Sequence, residues 1–139
     1  MINSRSLSDL NPKVAAMCSE FINRCKEQGI DIIITSTFRD AESQNALYAQ
    51  GRTAPGKKVT NAKGGQSFHQ WKVAFDFVPI VGGKPAWSND ELITKCGEIG
   101  ESIGLEWAGR WTGKFVEKLH LQYTDGLSLQ DFQSGKTLP

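Results

Sequence analysis

The stretch "GGQSFHQWKVAFDF", residues 64–77, sets one of the chain's two histidines seven positions ahead of an aspartate, inside an otherwise apolar run. If that run is a strand, successive side chains alternate between its faces. Val73, Phe75 and Phe77 then point to one side, and Asp76 emerges on the other between Ala74 and Val78. A carboxylate placed so needs a cation, or backbone donors that satisfy it. Two neutral accounts stand beside the cation: His69 capping a turn, and Asp76 held by backbone N–H groups.

The second histidine, His120, lies in "FVEKLHLQY", residues 115–123, three positions after Glu117. Strand alternation puts His120 and Gln122 opposite Leu119, Leu121 and Tyr123. A strictly extended Glu117 would face away from whatever His120 faces, and approaches it only if the chain turns just before Leu119. A hydrolytic zinc ion requires three protein ligands, a fourth position for water, and a nearby base. His69, Asp76 and His120, with Glu117 left over, supply those parts. An isolated histidine or aspartate is more often simply hydrogen-bonded, so these residues by themselves leave both readings open.

The rest of the chain bounds the possibilities. Its 139 residues suit one domain, 1–139, with a sizeable core. Sixteen basic and fifteen acidic residues leave a net charge of +1, too little for the broad electropositive face that nucleic acid demands. No apolar run approaches the roughly 20 residues of a membrane span, so no membrane insertion is expected. The start, "MINSRSLSDL", lacks the layout of a signal peptide, and a cytosolic protein is expected. Cys18, Cys25 and Cys96 form no Cys-x-x-Cys pair and are expected as buried free thiols.

"SLSDLNPKVAAMCSEFINRCKEQGI", residues 6–30, carries Val14, Met17, Cys18, Phe21, Ile22 and Cys25 at helical spacing and stops at Gly29. "DIIITSTF", residues 31–38, reads as a buried strand that delivers Arg39. "DAESQNALYAQG", residues 40–51, returns to helix, with Asp40 as N-cap and Gly51 as stop. Residues 52–66 read as a surface loop of fifteen residues, a length that suggests binding or disorder. "GGKPAWSND", 82–90, is a turn or hairpin, and "DELITKCGEIGESIG", 90–104, an amphipathic helix. Short strands are expected around Leu105–Trp107 and Leu119–Tyr123, and a last short helix in "SLQDFQSG", 128–135. Mixed helices and short strands without a steady βαβ rhythm favour an α+β domain, a central antiparallel sheet flanked by helices.

"SFHQWKVAFD", residues 67–76, resembles the Ser-x-His-(six residues)-Asp signature of the zinc peptidases that cut the peptide stems of bacterial cell walls. These form the D-alanyl-D-alanine carboxypeptidase and L-alanyl-D-glutamate endopeptidase superfamily. The Glu117-x-x-His120 pair, with Trp107 and Trp111 upstream, resembles its second motif. "STFRDAESQNALYAQGRTAPGKKVTNAKGG", residues 36–65, is similar to the segment that precedes the first zinc ligand in phage endolysins of the L-alanyl-D-glutamate type. The likeness runs from about Thr35 to Tyr123.

The resemblance implies a Hedgehog/DD-peptidase-like fold, Zn2+ as cofactor, and His69, Asp76 and His120 as its ligands. It makes Glu117 the base and Arg39 a catalytic cation near the scissile bond, whose plainer alternative is a surface ion pair with Asp40 or Glu42. Ser67, Gln44 and Trp111 become substrate contacts; the alternatives are a turn hydroxyl, a solvated helix face and core packing, the last also weighed for Trp71, Trp87 and Trp107. Lys57, Lys58 and Lys63 could draw substrate carboxylates to the loop or simply be solvated.

The implied function is that of a phage endolysin acting as a zinc-dependent L-alanyl-D-glutamate endopeptidase on peptidoglycan. It would be a monomer that waits in the host cytoplasm until lysis and then attacks the wall. A D,D-carboxypeptidase and a noncatalytic zinc-stabilised wall-binding module are the alternatives. The chain departs from the usual motif at Lys72, where the family carries glycine, and at Glu117 and Leu119, where it carries aspartate and proline. Glycine at 72 would serve either an unusual backbone torsion or space; with lysine, the first costs strain and the second lets its stem line the groove.

Overall fold

A computed structural model describes residues 1–139. Helix α1 (Pro12–Glu27) starts where Asn11 Oδ1 accepts from the Lys13 N–H at 3.0 Å and Pro12 presets the first helical torsion. Its buried residues Val14, Cys18, Phe21 and Cys25 make one stripe, and the chain leaves through Gly29 at φ +77°. All three cysteines are buried and free, and burial pushes the Cys18 thiol up to about 12.

Five strands form one antiparallel sheet: β1 (Asp31–Ser36), β2 (Ala74–Val81), β3 (Lys84–Pro85), β4 (Glu106–Trp107) and β5 (His120–Gln122). Their order is β1-β2-β5-β4, with β3 paired to β2. Helices α2 (Ala41–Ala49), α3 (Asp90–Ile103) and α4 (Leu129–Gln133) complete the domain, an α+β architecture as expected. Residues 52–66 contain no helix or regular strand, in keeping with the loop read from their composition.

Alternation along β2 decides what the sheet does. Phe75 and Phe77 turn inward and meet Phe21 of α1 at ring-centroid distances of 5.8 and 5.1 Å, in a core that α3 also enters with Ile93 and Cys96. Asp76 therefore faces the other way. Register places Ser36 and His120 directly across from it on the two neighbouring strands, so the three side chains share one face. A β-bulge between Ile34 and Ser36 shifts the β1 register at that row and re-aims the chain as it leaves toward Arg39.

Helix α3 comes close to the sheet because position 97 is glycine: a Cβ there would lie 2.2 Å from the Trp107 ring. The buried Trp107 indole N–H donates to the Lys118 carbonyl at 2.8 Å, which fixes the turn at residues 118 and 119. That turn lies where the spacing of Glu117 and His120 requires one. The first residues of the chain, by contrast, carry no strand pattern yet pair along the segment that holds Arg39. Thr37 N–H donates to Ser4 O at 2.7 Å, Ser4 N–H to Phe38 O at 2.8 Å and Asp40 N–H to Ile2 O at 2.9 Å.

Lys72 adopts φ +63° and ψ +25°, so the torsional alternative holds at this position and lysine bears a left-handed conformation that costs an L-residue roughly 1–2 kcal/mol. Its ammonium lies 5.0 Å from the centre of the Phe38 ring, a contact worth about 0.5 kcal/mol when exposed. Lys72→Gly is therefore expected to raise the unfolding free energy by about 0.5–1 kcal/mol in urea denaturation. A loss of stability would contradict the torsional account.

Candidate metal centre and its cleft

His69 stands on a single 3-10 turn, Phe68–Trp71, between the loop and β2. The Ser67 hydroxyl accepts from the His69 N–H at 3.3 Å, while the Gln70 side chain accepts from the Ser67 N–H at 3.0 Å. This reciprocal cap starts the turn, and Lys72 ends it. His69 Nδ1 donates to the Thr37 carbonyl at 2.8 Å; a carbonyl only accepts, so the ring proton sits on Nδ1. Nε2 points toward Asp76 Oδ1, 3.1 Å away.

From β5, His120 Nδ1 reaches the same Asp76 oxygen at 3.1 Å. The ligand atoms of His69, Asp76 and His120 all lie within 4.8 Å of one another, and both imidazoles are buried. With the ring proton on Nδ1 alone, Nε2 would meet the carboxylate oxygen as acceptor against acceptor, a contact that a positive charge between them relieves. Two imidazole nitrogens and one carboxylate are also the ligand types of hydrolytic zinc sites. The residues fit a divalent ion, with His69 Nε2, Asp76 and His120 Nδ1 able to hold it.

In the metal-free site the aspartate and the imidazoles support one another's charged forms. Burial opposes the charged form of Asp76, but in the metal-free site with both imidazoles protonated, the charge of His69, hydrogen bonds from His120 and His69, and the charge of His120 outweigh it and hold the carboxyl well below the usual carboxylate range. Burial likewise opposes the His120 imidazolium, but the hydrogen bond and charge of Asp76, aided by Glu117 and Gln122, raise it to about 9.

Arg39 and Glu117 approach from opposite sides. Arg39 Nη2 lies 3.5 Å from Asp76 Oδ2 and donates to the Ser36 hydroxyl at 3.0 Å, while Nη1 donates to Gln44 Oε1 at 2.9 Å. It pairs with neither Asp40, which caps α2 by accepting from the Ser43 N–H at 2.8 Å, nor Glu42. Glu117 Oε2 sits 3.4 Å from His120 Nδ1 on a side chain that is 45% exposed. The centre opens into a cleft of about 720 Å³ lined by Arg39, Ser67, Trp111 and Glu117 among others. Trp111 leans on His120 with ring centroids 5.5 Å apart.

Gln44 departs from the expectation of a substrate contact. It is fully buried, lies outside the cleft lining, and spends its amide on Arg39, on Thr60 Oγ1 at 3.3 Å and on the Ala62 carbonyl at 2.8 Å. Its structural place is behind Arg39. Lys57, Lys58 and Lys63 are exposed but line no part of the cleft; the loop contributes the neutral Val59, Thr60, Asn61, Ala62 and Gln66 instead. Sequence reading missed Thr37, whose carbonyl holds His69 from 32 positions away, and Ser36, whose hydroxyl holds Arg39 from three positions away. Trp107 belongs to the core, whereas Trp87 and Trp111 line the cleft.

Comparison with known proteins gives this geometry a context. The VanY family, described as D-alanyl-D-alanine carboxypeptidase, matches residues 7–125. A peptidoglycan L-alanyl-D-glutamate endopeptidase, CwlK of Bacillus subtilis, is 35% identical over 124 residues, covering 83% of this chain and 74% of that protein. An L-alanyl-D-glutamate peptidase of Listeria phage A118 is 29% identical over 125 residues, 86% of this chain but 41% of the phage protein. Among solved structures, the LdcB LD-carboxypeptidase superposes with a TM-score of 0.63 at 25% identity, over 88% of this chain and 75% of that one.

A metal ion taken up at His120 would have to displace the proton that Asp76 helps hold there up to about pH 9. Apparent Zn2+ affinity, measured by competition with a chelator, is expected to climb with pH below that value and then level off. In the chelator-stripped protein the sign is opposite for stability. A pKa raised above the ordinary 6.5 contributes fully below 6.5 and is lost as pH rises toward 9, so the melting temperature falls across that window. Affinity and melting temperature that ignore pH between 6.5 and 9 would contradict the assignment.

Proposed function

This chain belongs to the VanY D-alanyl-D-alanine carboxypeptidase family of zinc metallopeptidases, and from that premise we propose that it is a peptidoglycan endopeptidase that cleaves the stem peptide between L-alanine and D-glutamate. The observation that carries the proposal is the meeting of His69, Asp76 and His120 on the cleft floor with the Glu117 carboxylate 3.4 Å from His120 Nδ1. The Bacillus relative, named as an L-alanyl-D-glutamate endopeptidase over 83% of this chain, supports the choice of bond.

In this mechanism His69 Nε2, Asp76 and His120 Nδ1 would hold a zinc ion. When bound there, zinc supplies Lewis-acid chemistry, polarising a carbonyl and lowering the pKa of water. Glu117 acts as general base: its carboxylate accepts a proton from the attacking water and returns it to the leaving amine nitrogen as the peptide C–N bond breaks. Its partial exposure at the cleft wall leaves it free to meet both water and substrate. Arg39, held by Ser36 and Gln44, presents a fixed cation to the oxygen on which negative charge develops, or to a neighbouring substrate carboxylate. Ser67 and Trp111 line the substrate's path, and the Ser67 hydroxyl also keeps the His69 turn in place.

The phage origin of one relative supports a lysin role; we propose further that the protein is kept in the host cytoplasm until another protein opens the membrane, and then acts on the wall as a monomer. No helix is long and apolar enough to cross a membrane. A D,D-carboxypeptidase is the second reading, favoured by the family's own description.

Digestion of purified muropeptides followed by mass spectrometry separates the two, because the endopeptidase exposes a new D-glutamate amino terminus and the carboxypeptidase releases free D-alanine. Glu117→Ala is expected to retain one zinc per chain while lowering kcat by about 10²–10⁴-fold. Undiminished turnover would remove Glu117 from its role, and wall binding without any new amino terminus would mark a noncatalytic module.

A further inference from the structure

The cleft uses Nδ1 of His120; the other ring nitrogen points away from it toward an internal partner. His120 Nε2 lies 2.8 Å from Gln122 Oε1, Gln122 Nε2 donates to Glu106 Oε2 at 2.8 Å, and Thr124 Oγ1 donates to Glu106 Oε1 at 2.8 Å. Sheet register builds this chain of contacts. Gln122 follows His120 by two residues on β5 and so shares its face, and Glu106 on β4 is directly across from Gln122. Gln122 and Thr124 are both buried, whereas the Glu106 residue reaches the surface.

A primary amide can offer a neighbour either its oxygen or its nitrogen, so Gln122 alone decides nothing. A carboxylate accepts only. Glu106 therefore claims the NH2 group and turns the amide oxygen toward His120; that oxygen also accepts only, which puts the ring proton on Nε2 and the lone pair on Nδ1. We propose that Glu106 and Gln122 are positioning residues that set the His120 tautomer and thereby make Nδ1 its metal-ligating nitrogen. The inference rests on the zinc site proposed above.

The two histidines are thus prepared by different means. His69 is oriented by a backbone carbonyl, Thr37, which has one polarity and needs no further support. His120 is oriented by a side-chain amide, whose ambiguity the Glu106 carboxylate resolves. One ring presents Nε2 and the other Nδ1, in keeping with their different approaches, from a turn and from a strand. Groups that fix the tautomer of a ligating histidine commonly carry 10–100-fold in metal affinity.

The test measures Zn2+ affinity by chelator competition and reads the His120 tautomer from 15N shifts of the ring-labelled, zinc-loaded protein. Glu106→Gln, at an exposed position, is expected to weaken zinc about tenfold, and Gln122→Leu about 10–100-fold. Gln122→Glu alone sets two carboxylates side by side and is expected to weaken it about tenfold as well. The exchange Glu106→Gln with Gln122→Glu puts the carboxylate next to His120 and an amide donor behind it, and is expected to return affinity to within about threefold of wild type with the proton still on Nε2. That rescue is not expected of residues that only stabilise the sheet. Folded Glu106→Gln protein that binds zinc within twofold of wild type, with an unchanged tautomer signal, would overturn the proposal even if Gln122→Leu does not fold. A wild-type protein that binds no zinc at all would instead overturn the metal site on which the proposal rests.

Discussion

Asp76 holds its carboxylate on the open face of a strand whose other face is sealed by Phe75 and Phe77 against Phe21. The arrangement at the cleft floor answers that one charge. His69 and His120 converge on one oxygen at 3.1 Å each, and Arg39 approaches the other at 3.5 Å. Strand alternation forces the geometry, because a side chain that left the core side by one residue of slippage would carry the phenylalanines into the cleft and the acid into the core. The same register that builds the core therefore builds the site.

Much of this was legible in the order of residues. The stripe from Val14 to Cys25, the β-branched run before Arg39, and the alternation through Asp76 each follow from a local period, and the structure keeps all three. The need for a turn between Glu117 and His120 could be argued from side-chain direction alone. What stayed hidden depends on contacts between distant segments. Thr37 serves His69 through a backbone carbonyl, a group that every residue has, so no side-chain pattern could mark it. Gln44 sits on the helix as though solvated, and only its burial behind Arg39 shows otherwise. Lys72 left torsion and space as alternatives until its left-handed φ decided between them.

The loop of residues 52–66 is braced from within. Arg52 donates to the Tyr48 and Thr60 carbonyls at 2.7 and 3.0 Å and stacks over the Tyr48 ring at 3.9 Å. Asn61 then reaches across to the Lys114 carbonyl at 2.8 Å, joining the loop to the segment that precedes Glu117. Both walls of the cleft are thus tied together beside the proposed base. Val59, Trp87, Phe115 and Val116 stay exposed along those walls, so the cleft combines apolar surface with the cation Lys114 at its wall and Arg39 beside Asp76 at its floor. A peptide stem carrying methyl groups and carboxylates matches that combination.

The central claim, that two imidazoles and an aspartate hold one divalent ion, is tested most directly by X-ray absorption at the zinc edge on the purified protein. The account predicts one zinc per chain with nitrogen and oxygen neighbours at about 2.0–2.2 Å and an imidazole scattering pattern. A zinc shell dominated by sulfur near 2.3 Å, or no bound zinc, would contradict it.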